Sequence, residues 1–241
     1  MSESNGALQW PAMAGGSAQR SFNPVLFRFL RELKANNDRE WFAANKSRYE
    51  DDVRGPALDF VADVAPHLDR ISPHFDADPR PSGRSLFRIH RDTRFSKDKS
   101  PYKTYVGVQF RHELAKDAHA PGYYLHLEPK AVFVGAGIWH PDTPTLARIR
   151  EAIADDPKAW RAGKRVGERF QLGGDSLKRA PAGYDPDHPL IEDLKRKDFI
   201  CFTPLSEKDV CAPGFVDNFA GMCRDASPLI RFLCAAVDAP F

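Results

Sequence analysis

The chain has 241 residues, of which 42% are hydrophobic and 28% charged, and its formal net charge is +2. That length and apolar content suffice for one large core, with a charge content ordinary for a soluble globular protein. No apolar run approaches the ~18 to 20 residues that cross a bilayer, which excludes a helical membrane span.

Met1 to Arg20 lacks the basic-then-apolar order of a signal peptide and is rich in Gly, Ala and Ser. It is expected to be a flexible tail, leaving residues 21–241 as a single α+β domain in the cytoplasm. Asn23-Pro24 predicts the start of the first helix, with Asn as N-cap and Pro at the first helical position. Val25, Leu26, Phe29, Leu30 and Leu33 then form its core-facing stripe. Asn36-Asn37 breaks this helix and Asp38 caps a second, which carries Trp41, Phe42, Asn45 and Tyr49. Gly55-Pro56 is expected to separate the second helix from a third, with Leu58, Val61, Val64 and Leu68 on its apolar face.

A Pro-rich link, Ser72 to Gly83, leads into the most charged part of the chain. Between Arg80 and Arg111 there are nine Lys/Arg against two acids, Asp92 and Asp98, while the whole chain is only +2. The pattern predicts a basic hairpin. Its first strand runs from Leu86 to Phe95, its loop from Ser96 to Pro101, and its second strand from Tyr102 to Arg111. Gly122 to Pro129 alternates as a half-buried strand, and Lys130 to Ile138 is its antiparallel partner across the short Glu128-Pro129-Lys130 turn. In that partner Gly135 and Gly137 leave open space or admit a close backbone approach.

Asp142 or Thr143 caps a helix from Leu146 to Trp160, with Leu146, Ile149, Ile153 and Trp160 inward. Val166 to Asp187 is polar, turn-rich surface. A short helix around Leu190 to Lys195, a strand Phe199 to Phe202 and a helical end with Phe215, Phe219, Met222, Leu229, Phe232 and Leu233 complete the chain. The fold class is therefore α+β, an antiparallel sheet of about four to six strands packed with helices from both ends of the chain. The four cysteines (Cys201, Cys211, Cys223 and Cys234) are spaced by 10, 12 and 11 residues, which matches no zinc-binding pattern. They are expected to be reduced and partly buried.

Period-two alternation sorts the side chains of the basic hairpin. Phe87, Ile89 and Phe95 should face the core, and Arg88, His90, Asp92 and Arg94 the other way. Arg91 falls on the apolar side and so needs a partner or a bulge. Val106, Val108 and Phe110 oppose Lys103, Tyr105, Gln109 and Arg111, while Leu125 and Leu127 oppose Tyr124, His126 and Glu128. Antiparallel pairing in register would gather the polar sets on one sheet face.

That face is the candidate site. Arg88, Arg94, Lys97, Lys99 and Lys103, with Asp92, would hold a phosphate or carboxylate, because guanidinium forks bind such oxygens bidentately. Tyr102 and Tyr124 would orient the ligand, Tyr105 and Trp139 would stack on a planar group, and His126 with Glu128 would move protons. A metal held by His90-x-Asp92 and His126-x-Glu128 is disfavoured by the cationic neighbours, and no cofactor is indicated. Dinucleotide-binding, P-loop and nucleophile-elbow motifs are absent from the sequence. The reading is a binder, in one version also a transformer, of a small phosphorylated or carboxylated ligand. The rivals are a nucleic-acid-binding module, against which the low overall charge argues, and a non-enzymatic protein-interaction scaffold.

Three phrases carry a resemblance: Asn36-Asn37-x-x-x-Trp41-Phe42-x-x-Asn45-Lys46, the run Phe87-Arg88-x-x-Arg91-Asp92-x-Arg94-Phe95-Ser96-Lys97-Asp98-Lys99-Ser100-Pro101-Tyr102-Lys103, and Gly122-Tyr-Tyr-Leu-His-Leu-Glu-Pro129. Together they resemble an uncharacterised bacterial and fungal family, a domain of unknown function, from about Phe22 to Leu233. The resemblance implies one compact cytosolic domain and brings no activity with it. Members of that family often carry tyrosine or another residue where His90 stands here, whereas His126 and Glu128 match its pattern.

Overall fold

The computed structural model describes residues 21–80, 85–114 and 120–241. The expected tail, 1–20, and residues 81–84 of the Pro-rich link lie outside the described residues. Local capping sets the first helices where the sequence marks them. The Asn23 side chain accepts from the Val25 amide at 3.1 Å and Pro24 opens α1 (Pro24–Ala35), which buries Leu26, Phe27, Phe29, Leu30 and Leu33. Asp38 accepts from the Trp41 amide at 2.8 Å and opens α2 (Arg39–Ala44), followed by α3 (Lys46–Tyr49).

Gly55-Pro56 does not break the chain as expected. A π turn, Glu50–Arg54, carries the helix straight into α4 (Gly55–Asp69). Pro56 has no amide to give and its ring would crowd the carbonyl four residues back, so the turn widens. The Gly55 amide donates instead to the Glu50 carbonyl, and a Cβ at Gly55 would come 3.0 Å from that oxygen. Glycine and proline together make a bulge here.

The sheet comprises β1 (Val106–Arg111), β2 (Gly122–Leu127), β3 (Val132–Ile138), β4 (Gln171–Gly173) and β5 (Phe199–Leu205). Its order is β1-β2-β3-β5-β4 and every neighbouring pair is antiparallel. Between β3 and β4 lie α5 (Thr143–Asp155) and α6 (Pro157–Gly163). Then come α7 (Ile191–Leu194) before β5, and α8 (Glu207–Val210) and α9 (Phe215–Ala236) after it. Helices α4 and α9 cover the inner sheet face, where Phe110 lies 6.4 Å from Phe60 and 5.5 Å from Phe219 between ring centroids. All four cysteines are free and buried in this core.

The register confirms the sorting of side chains on β1 to β3. Val108, Leu125 and Val134 share one inward row, and Gln109, Tyr124 and Gly135 share one outward row. Gly137 sits at φ 128°, and a Cβ there would fall 2.0 Å from the Phe199 carbonyl oxygen, so its glycine serves the close approach of β3 and β5.

Three further expectations are corrected. First, Leu86 to Phe95 is not a strand: among the described residues it pairs through two isolated antiparallel bridges, Leu86 with Val108 of β1 and His90 with Tyr102 ahead of β1. The second strand starts at Val106, opposite the last residue of β2, Leu127; ahead of it the Tyr102 amide and carbonyl are both taken by the Asn37 side chain, at 3.1 and 2.9 Å. Phe95, expected inward, is 94% exposed. Second, the helix Leu146 to Trp160 is two helices, since Asp156 caps the Ala159 amide at 2.8 Å and Pro157 begins α6. Third, Val166 to Asp187 contains the edge strand β4. There Gly173 makes room for the Phe202 ring, whose Cε1 would lie 2.6 Å from a Cβ at that position.

Candidate functional site

Strand alternation brings Tyr124 and His126 to the outer face of β2, with Glu128 just past its end. The Tyr124 hydroxyl lies 2.9 Å from His126 Nδ1, and His126 Nε2 lies 3.4 Å from Glu128 Oε2. With Nε2–H directed at the carboxylate, Nδ1 accepts from the tyrosine. The imidazole is held between two aromatic rings, Tyr105 at 4.6 Å and Phe133 at 4.8 Å, the latter nearly parallel at 15°. Its side chain is 12% exposed. Burial lowers the His126 pKa, and the hydrogen bond it donates to Glu128 only partly offsets this, so the neutral ring is favoured. Burial also pushes Tyr124 and Tyr105 above the usual phenol range, with Glu128 adding to both. Glu128 itself is met by the Thr104 hydroxyl and Lys34 Nζ, each at 3.5 Å from Oε1.

Glycine shapes this face. A Cβ on Gly107 would fall 2.7 Å from the Tyr124 hydroxyl and 2.9 Å from Phe87 Cδ2, so only glycine lets both rings settle over β1. Phe87 leads to the cationic side of the site. Lys103 Nζ donates to the Arg88 carbonyl at 2.8 Å and lies 5.3 Å from the Phe87 ring centre and 6.0 Å from that of Tyr105. Lys103 is half-buried, and burial together with the Arg88 charge lowers its pKa. Among the described residues no carboxylate lies within ion-pair distance of either Lys103 or Arg88.

The remaining cations form a separate structure, a loop tied by its own side chains. The Arg91 guanidinium, which needed a partner, pairs with the Asp98 carboxylate and reaches the Ser100 carbonyl at 3.3 Å. Its amide donates to the Pro101 carbonyl at 2.9 Å, closing the loop. Asp98 Oδ1 accepts from the Ser100 hydroxyl at 2.6 Å and the Ser100 amide at 2.9 Å. These bonds and Arg91 hold its pKa far below the usual carboxylate range. Lys99 Nζ donates to the Thr93 carbonyl at 2.9 Å, and Arg94 grips Asp92 with two parallel bonds, at 3.0 and 2.6 Å.

The predicted site residues thus fall into three places. Arg88, Lys103, Tyr124, His126 and Glu128 border one patch of the outer sheet face. Asp92, Arg94, Lys97 and Lys99 belong to the loop. Tyr102 is buried beneath it, its ring stacked on Phe42 at 4.1 Å, where it packs the core. His90 is exposed and leans on Tyr102 at 5.2 Å. Among the described residues no three His, Cys, Asp or Glu side chains converge as a metal site would require. Trp139 lies at the far end of β3 with its ring 4.1 Å from His140, apart from the Tyr105–His126 stack.

Sequence reasoning missed Asn37, Gly107, Thr104, Lys34 and Phe133. A glycine inside an alternating strand was the available signal for Gly107. In the sequence Asn37 marks only the end of a helix, since nothing local points to its partner 65 residues away.

The fold and site define an α+β protein with a five-stranded antiparallel sheet and a polar, aromatic patch on the face opposite α4 and α9. The chain belongs to the family described as conserved hypothetical protein (DUF2461), whose model matches residues 25–232. No curated protein and no solved structure matches it.

Proposed function

We propose that the outer sheet face binds a small phosphorylated or carboxylated ligand through Lys103 and Arg88. The observation that carries this reading is a half-buried lysine, set among aromatic rings beside a second cation, with no carboxylate among the described residues within ion-pair distance of either. The two neighbouring cations repel each other, and an incoming anion offsets both that repulsion and the desolvation of Lys103. Tyr105 and Phe87 supply a wall for the rest of the ligand, and Tyr124 offers a hydroxyl. Acid–base work on the ligand falls to His126, kept neutral by burial and directed by Glu128. Buried free thiols fit a reducing compartment such as the cytoplasm. Among the described residues no helix is long and apolar enough to cross a membrane.

The test is a thermal-shift screen of phosphorylated and carboxylated metabolites at fixed salt. A ligand that binds only the folded chain raises its melting temperature by mass action. The expected result is a saturable shift from one small anion that disappears in Lys103→Ala and in Arg88→Ala, both folded. A shift that survives in the double variant, or no shift from any anion, overturns the proposal.

A further inference from the structure

The loop that carries Asp92 to Lys99 is not used by the anion patch, and it presents one unusual side chain. Phe95 is 94% exposed, and among the described residues no aromatic ring packs on it. The Arg94 guanidinium lies 5.8 Å from the ring centre. The loop beneath is ordered in advance by the Arg91–Asp98 pair, the Asp98–Ser100 bonds and the Lys99–Thr93 bond. The ring is therefore held out on a built support.

Chemistry narrows what can cover it. A protein or lipid interface is centred on a contiguous core of apolar area. Residues 91–101 offer none beside Phe95 except Pro101, and the ring's sequence neighbours are Arg94, Ser96 and Lys97. What remains to a lone ring is its π-face, and the partner that pairs a planar face with regularly spaced negative charge is an unpaired nucleotide strand. Among the described residues Lys97 has no carboxylate partner, and Lys99, tied by one bond to a carbonyl, has none either. Arg94, already oriented by Asp92, flanks the ring and adds its own planar face to a stacked base.

We infer that the Arg91–Pro101 loop is a contact site for single-stranded nucleic acid, with a base stacked on Phe95 and phosphates held by Lys97 and Lys99. Duplex is a poorer fit, because its bases present only their edges in the grooves. The site is separate from the patch around Lys103, and none of its residues is needed there.

The experiment uses the full chain and a short fluorescein-labelled oligo(dT), read by anisotropy across a salt series. Binding is expected to weaken as salt rises, with a shallower slope in the Lys97→Ala/Lys99→Ala variant. Phe95→Ala is expected to lower affinity about tenfold or more with an unchanged melting temperature, since the ring supports no packing. Phe95→Trp restores binding, and its fluorescence is quenched when the oligonucleotide is added. No binding to oligo(dT), or equal binding by Phe95→Ala, overturns the inference. So does a Phe95→Trp signal that responds to anionic phospholipid vesicles and not to the oligonucleotide.

Discussion

The Asn37 side chain is the device that fixes the basic segment to the helical layer, and its removal has a calculable effect. Its amide nitrogen donates to the Tyr102 carbonyl at 2.9 Å and its oxygen accepts from the Tyr102 amide at 3.1 Å, so it imitates a strand neighbour for one residue. Asn37→Ala removes both bonds and strands a backbone donor and acceptor beside a buried ring. Each bond is worth about 1 kcal/mol net, so the loss is about 2 kcal/mol. In a chain of this size that corresponds to a fall in melting temperature of roughly 4–8 °C. Asn37→Asp is the sharper variant. Its carboxylate still accepts from the Tyr102 amide but sets an oxygen against the Tyr102 carbonyl, so at neutral pH it destabilises at least as much as alanine. Urea denaturation measures the global effect, and hydrogen exchange at the Tyr102 amide reports the local one. If both variants melt within about 1 °C of the parent and the Tyr102 amide stays protected, the clamp does not carry the load assigned to it.

Four further expectations follow from individual residues. Gly107→Ala places a methyl group against the Tyr124 hydroxyl and Phe87, and should cost about 1–3 kcal/mol while displacing the Tyr124–His126 bond, visible as a shift in the His126 ring resonances. His126 is depressed by burial, so the unfolded chain binds a proton that the folded chain refuses; the stabilising difference is present above the ordinary value of 6.5 and is lost as pH falls below it. The urea midpoint of the parent should therefore drop more between neutral and mildly acidic pH than that of His126→Gln, and parallel curves would contradict the assignment. Asp198, 2% exposed, accepts from the His140 and Asp175 amides at 2.8 Å each, so Asp198→Ala should destabilise by about 3 kcal/mol in chemical denaturation. Burial pushes the Cys201 and Cys234 thiols up to about 12 and Cys223 well above its usual range, so a thiol reagent should label these three only after denaturant is added.

Much of this molecule is written locally. Asn23-Pro24, Asp38 and Asp142 each cap a helix with a side chain two or three residues from the amide it satisfies, and such short-range chemistry is legible without a fold. The β2–β3 pairing was legible for the same reason, because a short turn leaves antiparallel neighbours no other choice, and period two then put Tyr124 and His126 on one face. Tertiary structure decided the rest. Alternation from Leu86 to Phe95 predicted a strand. Its backbone pairs at two places, around Leu86–Val108 and around His90–Tyr102, and the pairing does not run on between them, while the outward amide and carbonyl of Tyr102 go to Asn37 of the helical layer. The fold thus divided one run of cations into a loop where Arg91 and Arg94 are paired with Asp98 and Asp92, and a pair on the sheet, Lys103 and Arg88, with no carboxylate in ion-pair distance among the described residues, a distinction that charge counting along the chain does not contain. Composition set the charge available to each segment; which charges meet a partner was settled only when residues far apart in sequence came within hydrogen-bonding distance.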